Sequence, residues 1–312
     1  MWSRALSAAE IQTYATTVLT GNEDGLVEDW PLDDGSGLTA RNVVPGGATL
    51  TLMNGPAWAA TGTIGLATTA FTPPSSGIAQ NTWIEIQGAN LVPPTTPAAG
   101  IDWSSAPSFA QGQMPTTLNG ISVTIDGVPA YIYFFWSAAT STICSQDQIN
   151  VLSPLDNTLG AVPVVVNNNG VPTAAFTATM HALVPALFNF DGSHVVATHA
   201  NDTLVGPATL YPGASTPAAP GETIVVYGSG FGIPAGAAIA AGSSTQSGTY
   251  SPQPTCTMSG VNASVGFAGL VDPGLVQLNV TIPSTAANGD NPIACTINGL
   301  TTPAGNVVTV QQ

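Results

Sequence analysis

Short runs of alternating apolar and polar residues begin near residue 81. Thr82, Ile84 and Ile86 alternate with Trp83, Glu85 and Gln87, and Gly88 ends the run. A period of two predicts a strand with one face on a core. Residues 121–125 form a second such run, Asp126-Gly127 a hairpin turn, and 130–135 the return. Strands are predicted again over 148–152, 162–166 and 174–180, with a turn at Asn168-Asn169-Gly170. The first 21 residues carry a helical pattern instead. Ser7 and Glu10 are spaced as a capping box, Ala8, Ile11, Ala15 and Val18 form an apolar stripe, and Gly21 is a stop. Residues 49–53 predict a short strand between turns at Gly46-Gly47 and Asn54-Gly55-Pro56. Residues 57–80 read as a connector rich in Thr, Ala and Pro, and 92–117 as a loop.

The strand set is written twice. Gln148-Ile149-Asn150-Val151-Leu152-Ser153-Pro154 returns as Gln277-Leu278-Asn279-Val280-Thr281-Ile282-Pro283. Thr223 to Tyr227 matches Thr82 to Ile86, Gly260-Val261-Asn262-Ala263 matches Gly127-Val128-Pro129-Ala130, and Asn298-Gly299 matches Asn169-Gly170. Repeated short strands at this spacing predict an all-β chain: two tandem Ig-like β-sandwiches, a short N-terminal helix and a few extra strands. The expected domains are 1–60, a first sandwich over 61–180, a structured connection over 181–220, and a second sandwich over 221–312. Agreement between copies also sets the faces. Ile84, Ile86, Ile149 and Val151 should point inward with Ile224, Val226, Leu278 and Val280, and Trp83 outward.

Composition narrows the function. Only 6% of the 312 residues are charged, there is no lysine, Arg4 and Arg41 are the basic residues, and the formal net charge is −15. Nucleic acid is excluded as a partner, because phosphate neutralisation needs clustered Lys and Arg. No apolar run approaches the ~18 residues of a membrane span. The opening Met1-Trp2-Ser3-Arg4 leads into a polar helix, so an export signal is expected to be removed or to lie upstream. A surface covered by Thr, Ser, Asn, Gln and Gly fits a secreted or cell-surface protein.

Trp2 to Ile11 resembles the closing segment of a laminin-G-like, concanavalin-type jelly roll. Trp30-Pro31-Leu32-Asp33-Asp34-Gly35-Ser36-Gly37 resembles its opening segment. Pro185 to Gly192, Val195 to Asp202, Gly206-Pro207-Ala208 and Pro217 to Thr223 resemble the Solibacter-type C-terminal domain of large secreted bacterial proteins, from about 65 to 310. Each half is also similar to the TIG/IPT branch of Ig-like domains. These resemblances imply export and a modular surface protein with no catalytic residues to carry over.

Candidate chemistry is sparse. His194 and His199 differ by five and would face opposite sides of one strand, against a shared metal. Gly228-Ser229-Gly230-Phe231-Gly232 reads as a turn, since Pro234 follows and a phosphate loop needs a helix and usually a lysine. The acids over 23–34 read as a solvated turn cluster, with calcium as the alternative. Cys256 and Cys295 fall on two strands of one predicted domain and are a candidate disulfide under oxidising export; Cys144 is then left over. No catalytic, cofactor or metal residues are identified. Trp83 and Trp103 are the candidate contacts for a ligand or partner. The expected function is a non-enzymatic structural protein that self-associates through its N-terminal region by strand or helix docking, as a filament or matrix subunit. A glycan-binding or adhesion module is the alternative.

Overall fold

The computed structural model describes residues 1–15, 17–32, 37–54, 61–70, 77–237 and 239–312. It divides into two units, 1–61 and 62–312. In the first, a helix spans Ala8–Tyr14. The Ser7 hydroxyl accepts from the Glu10 amide at 3.3 Å, and the Glu10 carboxylate accepts from the Ser7 amide at 2.8 Å. Arg4 closes on Glu10 at 2.7 Å.

The helix is much shorter than the 21 residues its pattern predicted, and none of its residues is buried. Thr13 and Thr17 donate their hydroxyls back to the carbonyls of Ala9 and Thr13, and such residues favour helix interiors poorly. Thr39–Ala40 pairs with Leu50–Thr51, a shorter strand than expected. Trp58, Asp33, Asp34 and the Asn54-Gly55-Pro56 turn beyond Asn54 lie outside the described residues.

The second unit holds two β-sandwiches. In the first, one sheet runs in the order Thr63–Thr69, Trp83–Ala89, Asp147–Leu152, Tyr131–Trp136, Ile101–Asp102. The other runs Ile78–Ala79, Phe176–His181, Gly160–Asn168, Ile121–Ile125, Thr117–Leu118. Ile84, Ile86, Ile149, Val151, Ile121, Val123 and Val164 meet between them, each at most 1% exposed. Each such side chain contributes roughly 1.5–3 kcal/mol by leaving water.

The second sandwich repeats the central strands of the first. Thr223–Ser229, Leu275–Thr281 and Val265–Asp272 are adjacent, as Trp83–Ala89, Asp147–Leu152 and Tyr131–Trp136 are. Thr255–Met258 pairs with Gly289–Ile297 as Ile121–Ile125 pairs with Gly160–Asn168. Ile224, Val226, Leu278 and Val280 are fully buried. The hairpin turns agree in backbone conformation, with φ of 51° and 75° at Asp126-Gly127 and 49° and 79° at Ser259-Gly260. Gly88 and Gly228 stand at matching places beside an edge strand. A Cβ there would lie 2.0 Å from the Thr63 carbonyl oxygen and 2.4 Å from that of Ala186.

Two connectors turn out to be sheet. Residues 57–80 supply the edge strand Thr63–Thr69 and the strand Ile78–Ala79. Residues 181–220, expected to join the sandwiches, instead extend the second one. Ala186–Leu187 and Ala197–Thr198 both pair with Thr223–Ser229, and Leu204–Val205 and Ser215–Thr216 widen the sheet. The reason is an unpaired edge: Thr223–Ser229 needs a neighbour to satisfy its outer backbone groups. Two pieces supply it here, where the single strand Thr63–Thr69 serves the first sandwich. Among the described residues, no helix is long and apolar enough to cross a membrane.

Candidate ligand-binding cleft

Burial of Ile84 and Ile86 turns Trp83, Glu85 and Gln87 to the opposite face of their strand. Trp103 is brought beside Trp83 by a turn of 3-10 helix over Trp103–Ser105, which Asp102 caps by accepting from the Ser104 amide at 2.7 Å. A register shift between Ile132 and Phe134 inserts Tyr133 as an extra residue, and it emerges 41% exposed. The Trp83 ring lies 5.6 Å from Trp103 and 5.4 Å from Tyr133, both edge to face. Trp103 stacks on Phe109 at 4.7 Å and meets Tyr133 at 4.8 Å. Such pairs contribute roughly 0.5–1.5 kcal/mol each beyond their buried area. The rings therefore hold one another in place.

The opposite wall comes from the second sandwich. The strands Val265–Asp272 and Leu275–Thr281 are joined through Pro273 and Gly274, and this tip meets the first sandwich. The Pro273 carbonyl accepts from the Trp83 indole at 3.0 Å. Gly274 has φ of +62°, and a Cβ there would lie 2.4 Å from a Leu152 methyl. The buried Gln246 carbonyl accepts from the Asn81 amide at 2.8 Å and from the Gly274 amide at 3.3 Å. Backbone bonds from Met114 to Gly242, 2.7 Å, and from Ser244 to Gly112, 2.9 Å, join the sandwiches again. What remains open is a cleft of about 290 Å³, lined by Trp83, Trp103, Tyr133 and Asn150 on one side and Phe188, Asp272 and Leu275 on the other.

The polar groups are carboxylates and amides. Burial raises the Glu85 carboxyl above its ordinary value, partly offset by the Gln87 amide that donates to it. Partial desolvation also raises Asp272, which still faces solvent. Gln148 donates to Asn150 at 2.9 Å, and the repeat keeps this bond as Gln277 to Asn279 at 2.8 Å. Residues 62–312 contain no Lys or Arg.

The remaining candidates fall elsewhere. His194 binds Asp191 at 2.7 Å; His199 binds the Glu222 carboxylate and lies 3.1 Å from the Thr216 carbonyl. The Asp202 amide donates to the His199 carbonyl, closing a turn. Among the described residues, no group of three His, Cys, Asp or Glu is placed to hold a metal. In Gly228-Ser229-Gly230-Phe231-Gly232, Phe231 is buried in the core. Cys256 and Cys295 form a disulfide between neighbouring strands, and Cys144 is free and half-buried. The disulfide occupies the place of the Val123–Val166 pair in the first sandwich.

Sequence reasoning singled out Trp83 and Trp103 but not Tyr133, Phe188 or Asp272. A signal for Tyr133 exists: the run Tyr131-Ile132-Tyr133-Phe134-Phe135-Trp136 breaks alternation, as a bulge does.

No protein-family model matches the chain, and no curated protein matches it. Among solved structures it is similar to the Bacteroides ovatus mixed-linkage glucan utilization locus SGBP-B in complex with a mixed-linkage heptasaccharide, at 11% identity and a TM-score of 0.30, over 87% of this chain and 50% of that one. It is similar to domains 5-6 of the S-layer protein SbsC at 10% identity and a TM-score of 0.25, over 80% and 98%. The C-terminal domain of the Streptococcus agalactiae AgI/II polypeptide BspA matches at 9% identity and a TM-score of 0.19, over 79% and 99%. The chain spans half the length of the Bacteroides ovatus protein.

Proposed function

We propose that the chain is a non-catalytic module of a secreted or cell-surface protein and holds carbohydrate in the cleft between its sandwiches. One observation carries this reading: three preorganised aromatic rings, Trp83, Trp103 and Tyr133, border an open cleft beside amide and carboxyl groups. Sugars present apolar C–H faces and hydroxyl edges, so rings with neighbouring hydrogen-bonding groups suit them. A non-catalytic role is favoured because, among the described residues, no nucleophile and base come together at the cleft. The Cys256–Cys295 disulfide favours an oxidising compartment, in keeping with the resemblance to exported bacterial domains.

Tyr133 is the residue to test, because its exposure makes Tyr133→Ala tolerable to the fold. A glycan array on the wild-type protein should return binders, and Y133A should lose about tenfold in affinity, worth about 1.4 kcal/mol. An array without binders would remove the proposal.

A second reading, self-association through the N-terminal unit, is favoured by a specific feature. That unit leaves Ile11, Val18, Leu38 and Met53 exposed, at 55%, 83%, 66% and 72%. Light scattering should then show mass rising with concentration; a constant monomer would exclude it.

A further inference from the structure

Carbohydrate binding in the cleft leaves the class and length of the ligand open. Beyond Trp83 the same sheet face continues in two rows. Glu85 stands opposite Asn150, which stands opposite Phe134; Gln87 stands opposite Gln148, which stands opposite Trp136. From Trp83 to Gln87 the strand rises about 13 Å, longer than a single sugar ring. All six of these side chains are half-buried, so each keeps part of its surface in solvent.

The second sandwich offers an internal comparison. It keeps the amide pair Gln277 and Asn279, but Val225 and Tyr227 stand opposite where the first has Glu85 and Gln87. The polar ladder is thus confined to the sandwich whose aromatic residues border the cleft. Charge restricts the ligand further. With no Lys or Arg in residues 62–312, the sheet face has no permanent cation to pair with uronate, sulfate or phosphate. The carboxyls of Glu85 and Asp272 would repel such groups.

Given that the cleft holds carbohydrate, the reading on which this step rests, we propose that it is one end of a linear site for an oligosaccharide without acidic groups, lying along the strands from Trp83 to Trp136. Glu85, Gln87, Gln148 and Asn150 hydrogen-bond its hydroxyls, and Phe134 and Trp136 bound the far end, their rings 5.0 Å apart and edge to face.

Calorimetric titration tests this with neutral gluco-, manno-, xylo- and galacto-oligosaccharides from di- to hexasaccharide, and with oligogalacturonate. For at least one neutral series, affinity should rise about tenfold, or about 1.4 kcal/mol, between disaccharide and tetrasaccharide. Gln87→Ala and Gln148→Ala should remove that gain while leaving disaccharide binding in place; Tyr133→Ala should weaken both lengths. The inference is overturned if oligogalacturonate binds as tightly as the neutral series. Affinity independent of length, or equal losses at both lengths in the two glutamine variants, also overturns it. Absence of binding by every probe would remove the cleft reading as well.

Discussion

Glu85 sits where two influences on one carboxyl oppose each other. Burial raises it and the Gln87 amide lowers it, and burial is the larger. Its cross-strand neighbours, Thr68 and Asn150, are uncharged. A carboxyl raised in the folded state makes the native protein bind protons more readily than the unfolded chain. Stability is then fully present below the ordinary value of 4.5 and falls as pH rises through the folded value. Glu85→Gln is therefore expected to raise the thermal midpoint at about pH 7 and to leave it unchanged at about pH 3. A lower midpoint at neutral pH would show that the carboxylate is held by contacts stronger than its burial cost. Glu10 has the opposite sign: Arg4 and Ser7 hold it at about 2 instead of 4.5, so its contribution is lost as pH falls through that value. Trp83 could be oriented from sequence because Ile84 and Ile86 flank the alternation. Its partner Pro273 could not be found that way, 190 residues on, in a hairpin tip with no periodicity of its own.

At the scale of elements, the repeat was legible wherever strands alternate and turns carry Gly after Asp or Asn. It was not legible at the edges. In Thr63–Thr69 the bulge at Gly65 breaks the alternation, leaving Ile64 buried and Leu66 exposed, and Ala197–Thr198 is too short to show any period. The helix erred the other way: its apolar stripe extends beyond Tyr14, but the threonines do not sustain it. The two copies also solve one packing problem differently. Cys256 and Cys295 are 39 residues apart, so their bond restricts the unfolded chain by about 4 kcal/mol. The first copy fills the same place with Val123 and Val166, 1% and 0% exposed. The double variant Cys256→Val/Cys295→Val should thus fold and lose less stability than Cys256→Ser/Cys295→Ser, which buries two hydroxyls. Denaturant unfolding of both would decide, and equal losses would show that the valine packing does not transfer.

At the scale of the whole second unit, two sandwiches were readable from the repeat, but their docking was not. Apart from the Pro273 tip against Trp83, the contacts that join them fall on Gln246, Asn81 and residues 112–114 and 242–244, in loops between the repeated strands. Gln246→Ala leaves the buried Asn81 amide without its acceptor, a loss of about 1–3 kcal/mol. Calorimetry should then resolve one unfolding transition into two; a single unchanged transition would mean that the backbone bonds suffice. The docked tip, Asp272-Pro273-Gly274, has a further consequence. It borders one copy's cleft while belonging to the other copy's hairpin, outside either core. On the proposed carbohydrate reading, substitutions at the exposed Asp272 would retune recognition while both hydrophobic interiors stay as they are, leaving selectivity free to drift where stability is not at stake.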